Sequence, residues 1–226
     1  MSDGAVISLF GDGVRRLVRR ALGQPTATPV AAVVSGVPVL RPSSGLREFW
    51  KGIQSPTTLQ ILDLGSASQA NLSFITGLVH KLYTEDLPRS LMAGASGTGP
   101  GTEGEEEEFF RKNLLYEEGQ FDGILCWDLF DFLADPLVKP LVGRLHRFLK
   151  PGGIVLGFFR TGAAGEEVAL YQYRIRTEAT LQLTGRGTGK LCRHFNNRTI
   201  ENLFRQFTSL KFYLTRDNLR EVIIVR

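Results

Sequence analysis

The sequence has few of the residues that build disulfide frameworks and metal centres. Its two cysteines, Cys126 and Cys192, are far apart, and its three histidines, His80, His146 and His194, are scattered. Neither set has metal-ligand spacing, which argues against a disulfide scaffold or a zinc site and makes a reducing compartment the default expectation. Cys126 lies inside an apolar run and reads as a small buried hydrophobe. No apolar run approaches the roughly 18 residues of a membrane span. Asp3 and the lack of an uninterrupted apolar core after a basic start argue against a secretory signal, so the expected location is cytoplasmic. A large excess of one charge is also missing. Twenty-seven Lys and Arg stand against 23 Asp and Glu, and a net charge of +4 permits an anionic partner without demanding one.

What is present suffices for a core. The 226 residues are 42% hydrophobic and include 15 phenylalanines, which suits one domain with an appendage. Residues 1–45 read as the appendage. Val14, Leu17, Val18 and Ala21 share one helical face between Arg15, Arg16, Arg19 and Arg20. Such a basic helix suits peripheral contact with a membrane or an anionic protein partner, or simple packing with solvated arginines. The proline-rich stretch Gly23–Ser44 reads as an extended linker. Residues 46–226 read as the main domain.

Within that domain, strand and helix patterns alternate. Gly45–Ile53 reads as a helix and Leu59–Leu64 as a buried strand. Ser68–His80 reads as a helix with Leu72, Ile75, Leu78 and Val79 on its apolar face. Lys81–Thr84 is strand-like and ends in Glu85-Asp86. Gly94–Gly104 reads as a mobile loop with acids around its end, and order resumes at Phe109. Phe121–Cys126 reads as a strand, Pro136–Leu149 as a helix, and Ile154–Phe159 as a strand. Val168–Leu183 alternates as a half-exposed hairpin or lid, with Gly185–Lys190 as a flexible turn. A helix over Asn197–Phe207 precedes the strands Ser209–Thr215 and Glu221–Arg226, which should pair antiparallel because no helix separates them.

Four features, in order, resemble the class I S-adenosylmethionine-dependent methyltransferases. They are Ile61-Leu62-Asp63-Leu64-Gly65, the acids closing the next strand, Phe121-Asp122-Gly123-Ile124-Leu125, and Leu149-Lys150-Pro151-Gly152-Gly153 before a strand. The resemblance covers Gly45 to the C-terminus. It implies a Rossmann-like α/β fold: a seven-stranded, mostly parallel sheet with helices on both faces and an antiparallel C-terminal strand. It also implies S-adenosyl-L-methionine as cofactor. One departure is plain. Where that family has Gly-x-Gly-x-Gly, this chain has Gly65-Ser66-Ala67-Ser68-Gln69.

The residues then sort by expected role. Gly65 permits a tight turn and close backbone approach to a ligand, and the following helix start offers free N–H groups. Ser66 and Ala67 belong to the same loop as Asp63, and Asn71 could supply an amide from the first helical turn. An acid at the end of the second strand can accept both ribose hydroxyls, at about the 20-residue spacing of dinucleotide folds. Asp86 matches the family best, with Glu85 beside it. By the resemblance, Asn113 lies near the adenine edge and Trp127 beside the cofactor. A base is needed only for an acceptor that must lose a proton; the candidates after the fourth strand are Trp127, Asp128 and Asp131, with Asp128 expected as the catalytic one. Tyr171, Tyr173 and His194 fall in segments the family uses for substrate.

The implied activity is methyl transfer to a small-molecule acceptor. The alternative is a non-catalytic methyltransferase-fold module that binds a partner or membrane through residues 1–45. A dinucleotide oxidoreductase is disfavoured, because no G-x-G-x-x-G follows the first strand. Arg174, Arg176, Arg186, Lys190, Arg193 and Arg198 cluster around the lid with Tyr171, Tyr173 and Phe195. That pattern suits a nucleic acid backbone, an acidic substrate or a solvated face.

Overall fold

The computed structural model describes residues 37–53, 58–78, 80–92, 103–215 and 217–226. The basic helix expected near the N-terminus, the linker before residue 37 and loop residues 94–102 lie outside the described residues.

β1 (Val39–Pro42) opens the described chain and pairs antiparallel with residues 180–183. The linker expectation is corrected here. Prolines are tolerated at the ends of edge strands, and Pro38 and Pro42 flank and end this one. α1 (Ser44–Gly52) is capped by the Ser43 side chain, which accepts from the Leu46 N–H, and buries Leu46, Phe49 and Trp50 at helical spacing. β2 (Gln60–Asp63) and β3 (Lys81–Thr84) flank α2 (Gln69–Gly77), which Ser68 caps. α2 does not bury the expected stripe: Asn71 and Ile75 face inward, and Leu72 is 40% exposed. α3 (Leu87–Met92) follows β3. α4 (Glu103–Asn113) contains the acids read as the end of a loop. They are helical because α4 lies on the next long helix, where Glu107 pairs with Arg144.

β4 (Phe121–Trp127) leads through a 3-10 turn, Leu129–Phe132, into α5 (Asp135–Phe148). α5 buries Leu137, Val138, Leu141, Val142, Leu145 and Phe148, as its three-and-four spacing predicts. β5 (Leu149–Arg160) bends at Gly152, whose φ of 78° suits glycine. β6 (Glu167–Thr177) and β7 (Thr180–Lys190) form a long hairpin, so residues 185–190 are strand rather than flexible turn. α6 (Asn197–Leu203), capped by Asn196, precedes β8 (Ser209–Leu214) and β9 (Leu219–Val225).

The main sheet has the order β3-β2-β4-β5-β9-β8. β2, β3, β4 and β5 run parallel, and β9 is antiparallel to both its neighbours. Six strands are present among the described residues where seven were expected. A second, antiparallel sheet has the order β1-β7-β6. Side chains alternate across the main sheet. Leu62, Ile124, Val155 and Ile224 face a core built with α5 and α6. Ile61, Leu125, Leu156 and Ile223 face a second core built with α1 and the small sheet.

Two of the resembling motifs meet at the amino end of this sheet. Asp122 takes the Lys150 ammonium at 2.8 Å on both oxygens and also accepts from the Gln60 N–H at 2.8 Å. One carboxylate thus holds the starts of β2, β4 and β5 together.

Candidate functional site

β2 sends its continuation to β3 on one side and pairs with β4 on the other. This is the switch point where open α/β sheets leave a crevice beyond the carboxyl ends of their strands. A cavity of about 590 Å³ lies there. Its floor is Leu64-Gly65-Ser66 after β2, Pro88-Arg89 after β3 and Cys126–Leu129 at the end of β4. The β6–β7 hairpin forms the opposite wall.

The floor is fixed by an interlock around Asp63, which is 2% exposed. Asp63 accepts from the Trp127 indole at 2.6 Å, the Gly65 N–H at 3.0 Å and the Asn71 amide at 3.1 Å. Burial raises the Asp63 carboxyl above its ordinary range, and these three donors pull against that shift. Trp127 ends β4 with φ at 50°, a strained conformation for an aromatic residue. The indole stacks on Tyr173 at 5.2 Å, with the rings 1° from parallel. A Cβ at residue 65 would lie 2.4 Å from the indole. Gly65 is therefore required by Trp127.

Asn71 faces the hairpin rather than the cavity. β6 is an edge strand, and the Asn71 side chain serves it as a neighbouring strand would. Its amide donates to the Tyr173 carbonyl at 3.1 Å, and its oxygen accepts from the Ile175 N–H at 2.8 Å. Gln172 makes a second fastening by donating to the Ala67 carbonyl at 3.1 Å. The lid is thereby tied to the loop after β2 and to the first turn of α2.

Behind the cavity runs a charged chain. The Tyr173 hydroxyl donates to Asp128 Oδ2 at 2.8 Å, and Arg160 donates to the same oxygen at 2.9 Å. Arg160 also reaches the Ala169 carbonyl and lies 5.4 Å over the Tyr171 ring. Burial alone would lower the Arg160 guanidinium, but the charge of Asp128 and its hydrogen bond outweigh it and hold it above its ordinary value. Burial, then Asp128, raises the Tyr173 phenol, so it stays protonated. Asp131 is 1% exposed and accepts from the Arg160 N–H at 2.9 Å. Burial and then the neighbouring Asp128 push it up to about 8.

Of the residues expected at a site, Gly65, Ser66, Trp127, Asp128, Tyr171 and Tyr173 line the cavity together. Asp63, Ala67 and Asn71 stand behind them. Glu85 and Asp86 lie at the end of β3. Glu85 accepts from the Tyr116 hydroxyl at 2.6 Å, and Asp86 accepts from the Arg89 N–H at 3.1 Å. Asn113 donates back to the Phe109 carbonyl of its own helix at 2.8 Å. His194 lies 2.8 Å from the Gly162 carbonyl through Nδ1. None of Glu85, Asp86, Asn113 and His194 lines the cavity. The sequence reading missed Arg160 and Gln172; the one signal was a charged residue closing a buried strand. Of the basic lid cluster, Arg174 and Arg186 donate to Gln172, Arg176 donates to Gln182, and Arg193 pairs with Asp135. Among the described residues no His, Cys, Asp and Glu group could hold a metal ion, and no helix is long and apolar enough to cross a membrane.

No family model and no curated protein matches the chain. Among solved structures it is similar in shape to a 1,6-didemethyltoxoflavin-N1-methyltransferase of Burkholderia thailandensis. That likeness has 12% identity, covers 99% of this chain and 92% of the other, and has a TM-score of 0.44. An S-adenosylmethionine-dependent methyltransferase of Mesorhizobium loti shares 15% identity over 80% of this chain and 95% of its own, with a TM-score of 0.44. A TehB-like methyltransferase of Corynebacterium glutamicum shares 15% identity over 80% and 86%, with a TM-score of 0.42.

Proposed function

We propose that the chain is an S-adenosylmethionine-dependent methyltransferase that acts on a small molecule. The observation that carries this reading is the position of the cavity. It opens at the switch point beside Gly65-Ser66, in a mostly parallel sheet whose antiparallel β9 agrees with what the four sequence motifs imply. Its volume suits a nucleoside-sized ligand with a small acceptor.

The residues present fit such a cofactor. Trp127, Tyr171 and Tyr173 give the cavity an aromatic wall, which attracts a cation such as a sulfonium. Ser66 adds a hydroxyl beside the β2 turn. Glu85 and Asp86 adjoin Pro88 and Arg89, which line the cavity, and each hydrogen bond they make uses one carboxylate oxygen. The other oxygen of Asp86 or Glu85 is the ribose ligand in this reading. When bound, S-adenosylmethionine supplies a methyl group already activated on sulfur. The protein's own work is alignment and exclusion of water. Leu129, Phe132, Leu170 and Leu191 shape the acceptor side. Both hydrogen bonds to Asp128 fall on Oδ2, so Oδ1 is the atom that takes a proton from an acceptor hydroxyl or amine. Tyr173, held protonated, and Arg160 keep that carboxylate in place.

Calorimetric titration with S-adenosylhomocysteine tests the reading. Saturable binding to the folded protein is expected, and no heat at about 1 mM ligand overturns it.

A further inference from the structure

We infer that the acceptor carries an anionic group, a carboxylate or a phosphate, on an apolar body; this rests on the methyltransferase reading of the cavity. The charges lining the cavity are unequal. Arg89, Arg186 and Lys190 are cationic, and Asp128 is the one acid among the lining residues. Asp128 is already neutralised by Arg160. None of the three cations has a carboxylate partner among the described residues. Arg186 is held instead by the neutral Gln172 amide, which is anchored in turn to the Ala67 carbonyl. Its charge is thus positioned without being cancelled. A concave site with apolar walls focuses such a field and draws in the opposite charge.

The rest of the acceptor wall is apolar. Leu129, Phe132, Leu170 and Leu191 lie beside these cations. The hairpin brings the two chemistries together: Leu170 packs over Gly189, where a Cβ would lie 2.9 Å from its side chain, and Lys190 follows directly. An amphiphilic acid places its body against the leucines and Phe132 and its charge toward Arg186 and Lys190. A guanidinium and an ammonium both bind carboxylate and phosphate, so the wall is common to the two anions.

The test uses 2-naphthoate, its neutral isostere 2-naphthamide and 2-naphthyl phosphate as probes, titrated into the full chain. Naphthoate or naphthyl phosphate should bind about tenfold more tightly than naphthamide, and the tighter of the two identifies the anion. The ratio should fall toward one in the Arg186→Gln, Lys190→Gln double variant. It should also fall in the wild-type protein as sodium chloride rises from about 0.02 M to about 0.5 M. Equal affinity for acid and amide, or a ratio that survives both treatments, overturns the inference. So does displacement of naphthoate by saturating S-adenosylhomocysteine, since the anion would then occupy the cofactor's place. If naphthoate binds with the expected ratio while S-adenosylhomocysteine does not bind, the anion site is supported and the methyltransferase reading alone is lost.

Discussion

At residue 65 a glycine is required for a steric reason: it leaves room for the Trp127 indole. Gly65→Ala places a Cβ against that ring, and overpacking of this kind costs about 1–3 kcal/mol. Urea melts should show that loss, and should show less of it in a Trp127→Ala background; an unchanged midpoint for Gly65→Ala would contradict the interlock. Asp131 gives a pH prediction at the same scale. Its carboxyl is raised to about 8 in the folded protein, so between about pH 4 and that value the folded chain holds a proton that the unfolded chain has lost. Stability therefore falls as pH rises through this window, by at most about 1.4 kcal/mol per unit. Asp131→Asn keeps an acceptor for the Arg160 backbone N–H and removes the titrating group. Urea melts between about pH 5 and pH 8 should show a flatter slope, though not zero, because Asp63 is raised in the same direction; an unaltered slope would contradict the assignment.

Among the elements, the β6–β7 hairpin departs most from what its sequence suggests. Alternation of Tyr171, Tyr173 and Ile175 reads correctly as a strand. The glycines at 185, 187 and 189 suggest a turn, yet Gly185 and Gly189 pair with β6, while Gly187, with φ at 112°, sits at an irregularity between them. The role of Asn71 was also hidden. A polar residue near a helix start looks like a ligand group, and only the fold shows it closing the edge of β6. Asn71→Ala removes two hydrogen bonds to that strand and one to Asp63, at a cost of about 1–3 kcal/mol. Amide exchange at Ile175 should accelerate well beyond that at Leu62 in the main sheet; equal changes at both would show that the hairpin is not fastened there. The main-sheet strands and α5 were legible because burial on both faces gives continuous apolar runs and a helix repeats at three and four. The partners of Asp128 were not. Arg160 and Tyr173 are distant in sequence and no spacing rule joins them to it.

At the scale of the whole molecule, one buried ion pair joins the two sheets. Arg41 of β1 pairs with Glu221 of β9, which is fully buried and also accepts from the Ser43 hydroxyl at 3.0 Å and the Gly45 N–H at 2.6 Å. Removing one partner leaves an uncompensated charge, so Arg41→Met should cost about 3–5 kcal/mol in denaturant melts; a loss below about 1 kcal/mol would mean that the small sheet docks without the help of this pair. β1 thereby belongs to the domain that positions the lid, which the prolines around it concealed. The motifs that suggested the fold divide the same way. Asp122 and Lys150 act at the amino end of the sheet, far from chemistry, while Asp63 and Gly65 build the cavity floor. Fold was therefore more legible than site. The central claim is that this floor holds a nucleoside, and difference density from crystals soaked with S-adenosylhomocysteine tests it most directly. Density beside Gly65-Ser66, with its ribose toward Asp86 or Glu85, is the predicted result. No density there, or density only in the open groove lined by Gln60, Tyr83 and Tyr116, would contradict it.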